Sequence, residues 1–246
     1  MKEYELYNLL GHLLSPIPGT GKKELALAGK EGLDWPKVLR VAGDHYVTTL
    51  LAGTLNAKGL FGRLPKDIRD YLDSIRQLNQ ERNDILRAEL LNIIARLNEI
   101  NVQPLILKGA ISLVSEQYPG CNDRVIGDLD LAVPRERIRE CFHWLNRAPY
   151  SAHGEFGQEH EIGLTHHAHP LLHESLPVTV ELHSHVIGTS AHTLLPTEET
   201  WQSSELVKQN DLVFHLPDLT SRLIHTFAHT QLQDQNHSCG YLALRP

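Results

Sequence analysis

Val125–Val133 reads VIGDLDLAV, two aspartates two residues apart inside an apolar run. Taking a charge out of water costs several kcal/mol unless something pairs with it. On a strand, residues i and i+2 share a face, so Asp128 and Asp130 project together while Leu129 and Leu131 point into a core. Two carboxylates this close repel and raise the pKa of one of them unless they share a cation. A divalent ion is the natural resolution, because Mg²⁺ takes carboxylate oxygens and substrate phosphates together. The plain alternative is a pair of solvated aspartates on a half-exposed strand.

The flanking segments weigh against that alternative. Upstream, NVQPLILKGA (residues 101–110) is a short apolar strand bounded by Pro104 and Gly109. It ends in Lys108-Gly109 and turns into AISLVSEQYPG, a helix with Ile111, Leu113, Val114 and Tyr118 as its apolar positions. Glycine permits close backbone approach, a helix start offers free N–H groups to phosphate, and Lys108 adds a point charge. Downstream, VTVELHSHV sets Glu181 on a strand face shared with Thr179, His183 and His185, which supplies a third carboxylate. Arg124 is a further candidate for phosphate charge.

The rest of the chain frames this cluster. It has 246 residues, enough for one large or two modest domains with a sizeable core. Net charge is −7, from 23 basic and 30 acidic residues, which argues against nucleic acid held by phosphate neutralisation. Three widely spaced cysteines, Cys121, Cys141 and Cys239, read as free thiols in a reducing compartment. MKEYELYNLLGHLL lacks a long apolar core, and no stretch nears the roughly 18 apolar residues of a membrane span. The expectation is a cytoplasmic protein with no membrane partner.

Residues 1–99 read as a helical region. Asp34 is a candidate N-cap with Pro36 at the first helical turn. From Pro65 to about Ile100, Leu72, Ile75, Leu78, Ile85, Leu86, Leu90, Ile93, Ile94 and Leu97 repeat at three and four, the core stripe of a long helix. Residues 100–190 read as an α/β core, with RERIRECFHWLNRAPY as a helix and HEIGLTHHAH and LPVTVELHSHV as strands. Residues 191–246 read as loop and helix, a C-terminal helical segment. The fold class is therefore α+β, a small mixed sheet between two helical regions.

Strand–Lys-Gly–helix, then Arg124, then GDLDLAV, then a strand bearing VELH resembles the DNA polymerase β-like nucleotidyltransferase superfamily. It is most similar to a poorly characterised family in which Lys-Gly replaces Gly-Ser. The likeness covers roughly residues 100–190, and the helical region before it and LIHTFAH after it are also similar. It implies that Asp128, Asp130 and Glu181 are the catalytic residues and bind two Mg²⁺ (or Mn²⁺) ions. It also implies that Lys108, Gly109, Arg124 and His183 serve the nucleotide. The activity implied is transfer of NMP from an NTP such as ATP to a hydroxyl or phosphate acceptor, on a small molecule or a protein. Ala110 departs from the superfamily's phosphate-contacting serine, and the span from Gly109 to Asp128 is longer than in compact members. The chain ends at GYLALRP where members of the family continue into more helix, which points to a shortened C-terminus.

Sixteen histidines leave a second reading open, since nine fall between His153 and His192. THHAHPLLHES and ELHSHV would suit a zinc or manganese site, although no cysteine pair or HExxH accompanies them. His183 is otherwise a residue orienting Glu181, or a general base near neutral pH. His225 and His229, four apart, read as a packed helix face, with His229 also able to reach a nucleotide. A third reading is an idle relative that binds a nucleotide or a partner without turnover.

Overall fold

The computed structural model describes residues 3–15, 17, 19–23, 33–115, 123–152, 167–188 and 191–233. They fall into two compact units, one from the described residues within 1–83 and 123–125, the other from those within 84–115 and 126–233.

The first unit is helical. It contains α1 (Glu3–Leu14), α2 (Trp35–Asp44), α3 (Thr48–Ala57) and the opening turns of α4 (Lys66–Glu99). Asp34 caps α2 as the sequence suggests, accepting from the Lys37 N–H at 3.1 Å, with proline in the first turn. The apolar stripes close on one another: Leu6, Leu10, Leu13, Val38, Leu51, Leu55 and Leu72 are fully buried in one cluster. Full burial of such a side chain stabilises by about 1.5–3 kcal/mol. Lys58 Nζ donates to the carbonyls of His12 and Leu13, satisfying the otherwise open end of α1.

A half-buried ion pair completes this unit. Asp123 accepts from Arg76 Nε at 2.5 Å, and its backbone carbonyl accepts from the Thr49 hydroxyl. The Arg124 carbonyl accepts from the side-chain amides of Asn79 and Asn83. Gly53 makes room for Asp123, since a Cβ there would sit 1.9 Å from its Oδ2.

The second unit is built on a seven-stranded mixed sheet of order β3-β4-β5-β2-β1-β7-β6. Its strands are β1 (Leu105–Ile106), β2 (Leu129–Ala132), β3 (Tyr150–Ala152), β4 (Leu171–His173), β5 (Thr179–His183), β6 (Glu205–Gln209) and β7 (Leu212–Leu216). β2 runs parallel to β5 and antiparallel to β1, which is parallel to β7. The helices are the end of α4, the single turn α5 (Ile111–Val114), α6 (Ile138–Leu145), α7 (Thr197–Gln202) and α8 (Leu219–Phe227), which runs into a π-helical turn, Ala228–Gln233.

Alternation sorts the sheet into two faces. Ile106, Leu129, Leu131, Val180 and Leu182 pack with Leu86, Leu90, Ile93 and Ile94 of α4 and Phe142 of α6. The opposite face carries Leu105, Leu107 and Ala132, which pack with Val186, Ile187, Leu195, Ile224 and Ala228. Asn98 ties α4 to the sheet, donating to the Val102 and Val213 carbonyls and accepting from the Val213 N–H.

The long helix over 66–99 and the strand over 179–183 match the sequence reading. Other elements differ. Residues 205–216 form the hairpin β6–β7, which extends the sheet where loop and helix are expected. β2 is shorter than its apolar run and begins at Leu129, so Asp128 precedes the strand. The helix after Gly109 has four residues, and positions 116–122 lie outside the described residues, as does Cys121. Of the expected strand 160–169, residues 160–166 lie outside the described residues, and His167 forms an isolated bridge with His183. No helix among the described residues is long and apolar enough to cross a membrane.

Candidate functional site

The parallel pairing of β2 with β5 sets Asp130 opposite Glu181 and Ala132 opposite His183. Because partners in register point the same way, both carboxylates and the His183 ring stand on the sheet face opposite the α4 core. One ligand atom from each of Asp130, Glu181 and His183 lies within 4.8 Å of the others. Glu181 keeps some solvent access, whereas Asp130 and His183 are 0% exposed.

Lys108 joins them from the end of β1. The Leu107 N–H donates to the Asp130 carbonyl, which continues the β1–β2 ladder to the edge of the site. Lys108 then takes φ +46°, a left-handed conformation that costs a side-chain-bearing residue of order 1–3 kcal/mol. The turn points its ammonium at the carboxylates: Nζ lies 2.7 Å from Asp130 Oδ1 and 4.0 Å from Glu181 Oε2. The following turn (residues 108–110) is 3₁₀ and is held by the Ser112 hydroxyl donating to the Gly109 carbonyl.

The electrostatics follow from burial and these partners. Burial disfavours charge on Asp130, but the His183 hydrogen bond and the Lys108 ammonium outweigh it and hold the carboxyl well below the usual range. For Lys108, burial is again overcome, by Asp130, Glu181 and Asp128, and its pKa lies above the ordinary value. Burial raises the Glu181 carboxyl, and repulsion from Asp130 adds to the shift. Burial lowers His183 despite its bond to Asp130, so the ring is neutral at pH 7. Its Nε2, 2.8 Å from the ionised Asp130 Oδ1 and 3.6 Å from Glu181 Oε2, therefore carries the proton and donates to Asp130. The His167 ring stands edge-on to His183 at 5.5 Å.

One feature of this cluster tests its fit to a cation. Asp130 Oδ2 is buried and has no hydrogen-bond partner among the described residues. A buried carboxylate oxygen without a donor is costly, and a hard divalent ion shared with Glu181 would satisfy it. The donor set thus fits Mg²⁺ or Mn²⁺ on Asp130 and Glu181, with His183 fixing the orientation of Asp130.

Of the residues singled out in the sequence, Lys108, Asp130, Glu181 and His183 come together, with Gly109 in the adjoining turn. Asp128 stands outside the close group of three, although its charge acts on both Lys108 and Glu181. Arg124 belongs to the first unit. The four-residue α5 is too short to supply the helix N-terminus expected for phosphate. Of the histidine-rich stretch, His153, His160 and His166 lie outside the described residues, and the group of three metal-capable side chains among the described residues is Asp130, Glu181 and His183. His225, 7% exposed on α8, is a buried histidine read from sequence only as helix packing.

Residues 31–244 match the model of a family described as uncharacterised nucleotidyltransferases. The chain belongs to that family. No curated protein matches it. A crystal structure from Thermotoga maritima, of a protein for which nucleotidyltransferase activity has been put forward, is similar at 14% identity and a TM-score of 0.44. The similarity covers 67% of this chain and 96% of that one, and it is too loose to carry an argument about chemistry. Membership of a family so described supports a nucleotidyltransferase role with an NTP as substrate, and the cluster on β1, β2 and β5 is compatible with it.

Proposed function

We propose that the protein is a metal-dependent enzyme moving NMP from an NTP to a hydroxyl or phosphate acceptor, with its centre at Asp130, Glu181 and Lys108. The observation that carries this reading is the facing pair Asp130 and Glu181, with one buried, unpartnered carboxylate oxygen beside a lysine.

A divalent cation held by the two carboxylates would neutralise the triphosphate and favour in-line displacement at the α-phosphorus. The rest falls to the chain's own groups. Lys108 would leave Asp130 in part to meet a phosphate oxygen, its charge secured above the ordinary lysine range. His183 donates to Asp130 and keeps that carboxylate aimed. Glu181, whose pKa burial raises, would take the acceptor proton as the acceptor oxygen bonds to the α-phosphorus and the bond to pyrophosphate breaks. Asp128 would add negative field and a further ligand, and Gly109 would serve the phosphates. The acceptor is taken to be a small molecule or a protein group.

Turnover with NTP labelled on the α-phosphate tests the reading. It expects label to pass to the acceptor with one pyrophosphate released per transfer. Label passing from the γ-phosphate instead would contradict it. The second reading, a relative that binds nucleotide without transfer, is favoured by Ala110 at the phosphate turn and by the position of Asp128 off the strand. It expects NTP binding with no pyrophosphate from any acceptor class.

A further inference from the structure

The sheet face that bears Asp130, Glu181 and His183 is also the face covered by α8. Ile224 and Ala228 pack with Leu105, Leu107 and Ala132, the residues that flank Lys108 and Asp130 along their strands. α8 also packs on the turn formed by Lys108–Ala110. Between Ile224 and Ala228 stands His225, 7% exposed, its ring edge-on to His229 at 5.8 Å. Its Nε2 is buried and has no hydrogen-bond partner among the described residues. A helix packing role would be met more cheaply by an apolar side chain, because an unmet buried nitrogen costs about 1–3 kcal/mol.

We propose that His225 is a phosphate-binding residue of this site, its Nε2–H donating to a phosphate oxygen of the bound nucleotide. This rests on the nucleotide reading above and adds to it a residue on an element C-terminal to the sheet. The ring is neutral: burial, with His229 and Lys108 close by, pushes it down to about 3. In its Nε2–H tautomer a neutral imidazole donates to an anion without adding a second point charge, so it would complement Lys108 without repelling it. It also suits the triphosphate, the part common to every NTP.

The experiment uses the full chain labelled with ¹⁵N-histidine and titrated with inorganic tripolyphosphate plus Mg²⁺. The His225 Nε2 signal, assigned by its absence in His225→Gln, should keep its protonated signature and shift on titration. By calorimetry, His225→Ala should bind tripolyphosphate about ten- to hundredfold more weakly, as expected for a lost hydrogen bond to a charged group. His225→Gln, which keeps an N–H at that reach, should recover most of the affinity. Wild-type affinity in His225→Ala would overturn this assignment while leaving the nucleotide site standing. Conversion of Nε2 to an unprotonated ligand by Mg²⁺ alone would overturn it in favour of metal binding. Failure of the wild type to bind tripolyphosphate would overturn the nucleotide reading and this one together. Should His225→Ala fail to fold, the wild-type titration decides by itself.

Discussion

Asp130 and Glu181 are register partners on parallel strands, and one ammonium serves both: Lys108 Nζ is 2.7 Å from the first and 4.0 Å from the second. Like charges placed side by side persist here because a cation from a neighbouring strand end holds them. The arrangement is polarised, with Asp130 strongly ionised and Glu181 held towards its neutral form. Separation of this kind gives two carboxylates two different tasks.

Removing Asp130 should cost more stability than removing Lys108. Asp130→Ala leaves a largely buried ammonium without its main partner, a loss of about 3–5 kcal/mol. Lys108→Met leaves Asp130 its His183 hydrogen bond and keeps the same left-handed backbone, so the loss should be smaller. Urea unfolding at equal m-value measures both. Equal losses would contradict the view that His183 independently stabilises the Asp130 charge.

Gly53→Ala should destabilise the helical unit, against the ordinary rule that alanine favours a helix interior by about 1 kcal/mol. The added Cβ meets the Asp123 carboxylate, which is fixed by Arg76, so the ion pair must break or α3 must shift. The expected cost is about 1–3 kcal/mol, from the steric clash and the disturbed half-buried ion pair. Thermal unfolding of Gly53→Ala beside Asp123→Asn measures it, and a stabilised Gly53→Ala would refute the packing described.

Much of this was legible in the sequence, and the reasons are local. Leu129 and Leu131 alternate with Asp130, so strand periodicity alone assigns the buried face and the charged one. Lys108-Gly109 and Glu181 sit at strand ends or on alternating strands, where two-residue periodicity places side chains. The hairpin β6–β7 was not legible because its outer strand is an exposed edge, largely polar in Glu205, Lys208 and Gln209, and gives no apolar alternation. Asp128 reads as a strand residue because the apolar run begins before it, but ladder pairing starts only at Leu129. His225 was missed for a different reason. Helical spacing shows which face it occupies, while its unpartnered nitrogen depends on what another part of the chain brings over it.

Acid should weaken the fold through His225. Its folded pKa is about 3, well below the 6.5 or so of a free imidazole. As pH falls below about 6.5 the unfolded chain binds a proton that the folded ring refuses, so stability drops by about 1.4 kcal/mol per pH unit from this group. His183 acts in the same direction. Glu181 acts oppositely, because its raised pKa makes the folded state bind the proton first. Urea titrations at about pH 7 and pH 5 should show a slope that His225→Gln flattens. An unchanged slope in the variant would contradict a neutral buried His225.

The Asp130–Glu181 pair is proposed above as a metal-dependent nucleotide site. Thermal unfolding with each NTP, with and without Mg²⁺ or Mn²⁺, on wild type, Asp130→Asn and Glu181→Gln tests it most directly. A ligand at about 100 times its dissociation constant adds about 2.7 kcal/mol of stability. At least one NTP should raise the wild-type midpoint only when the metal is present, and both variants should lose the rise. An NTP-induced rise independent of metal, or one that survives in both variants, would contradict it.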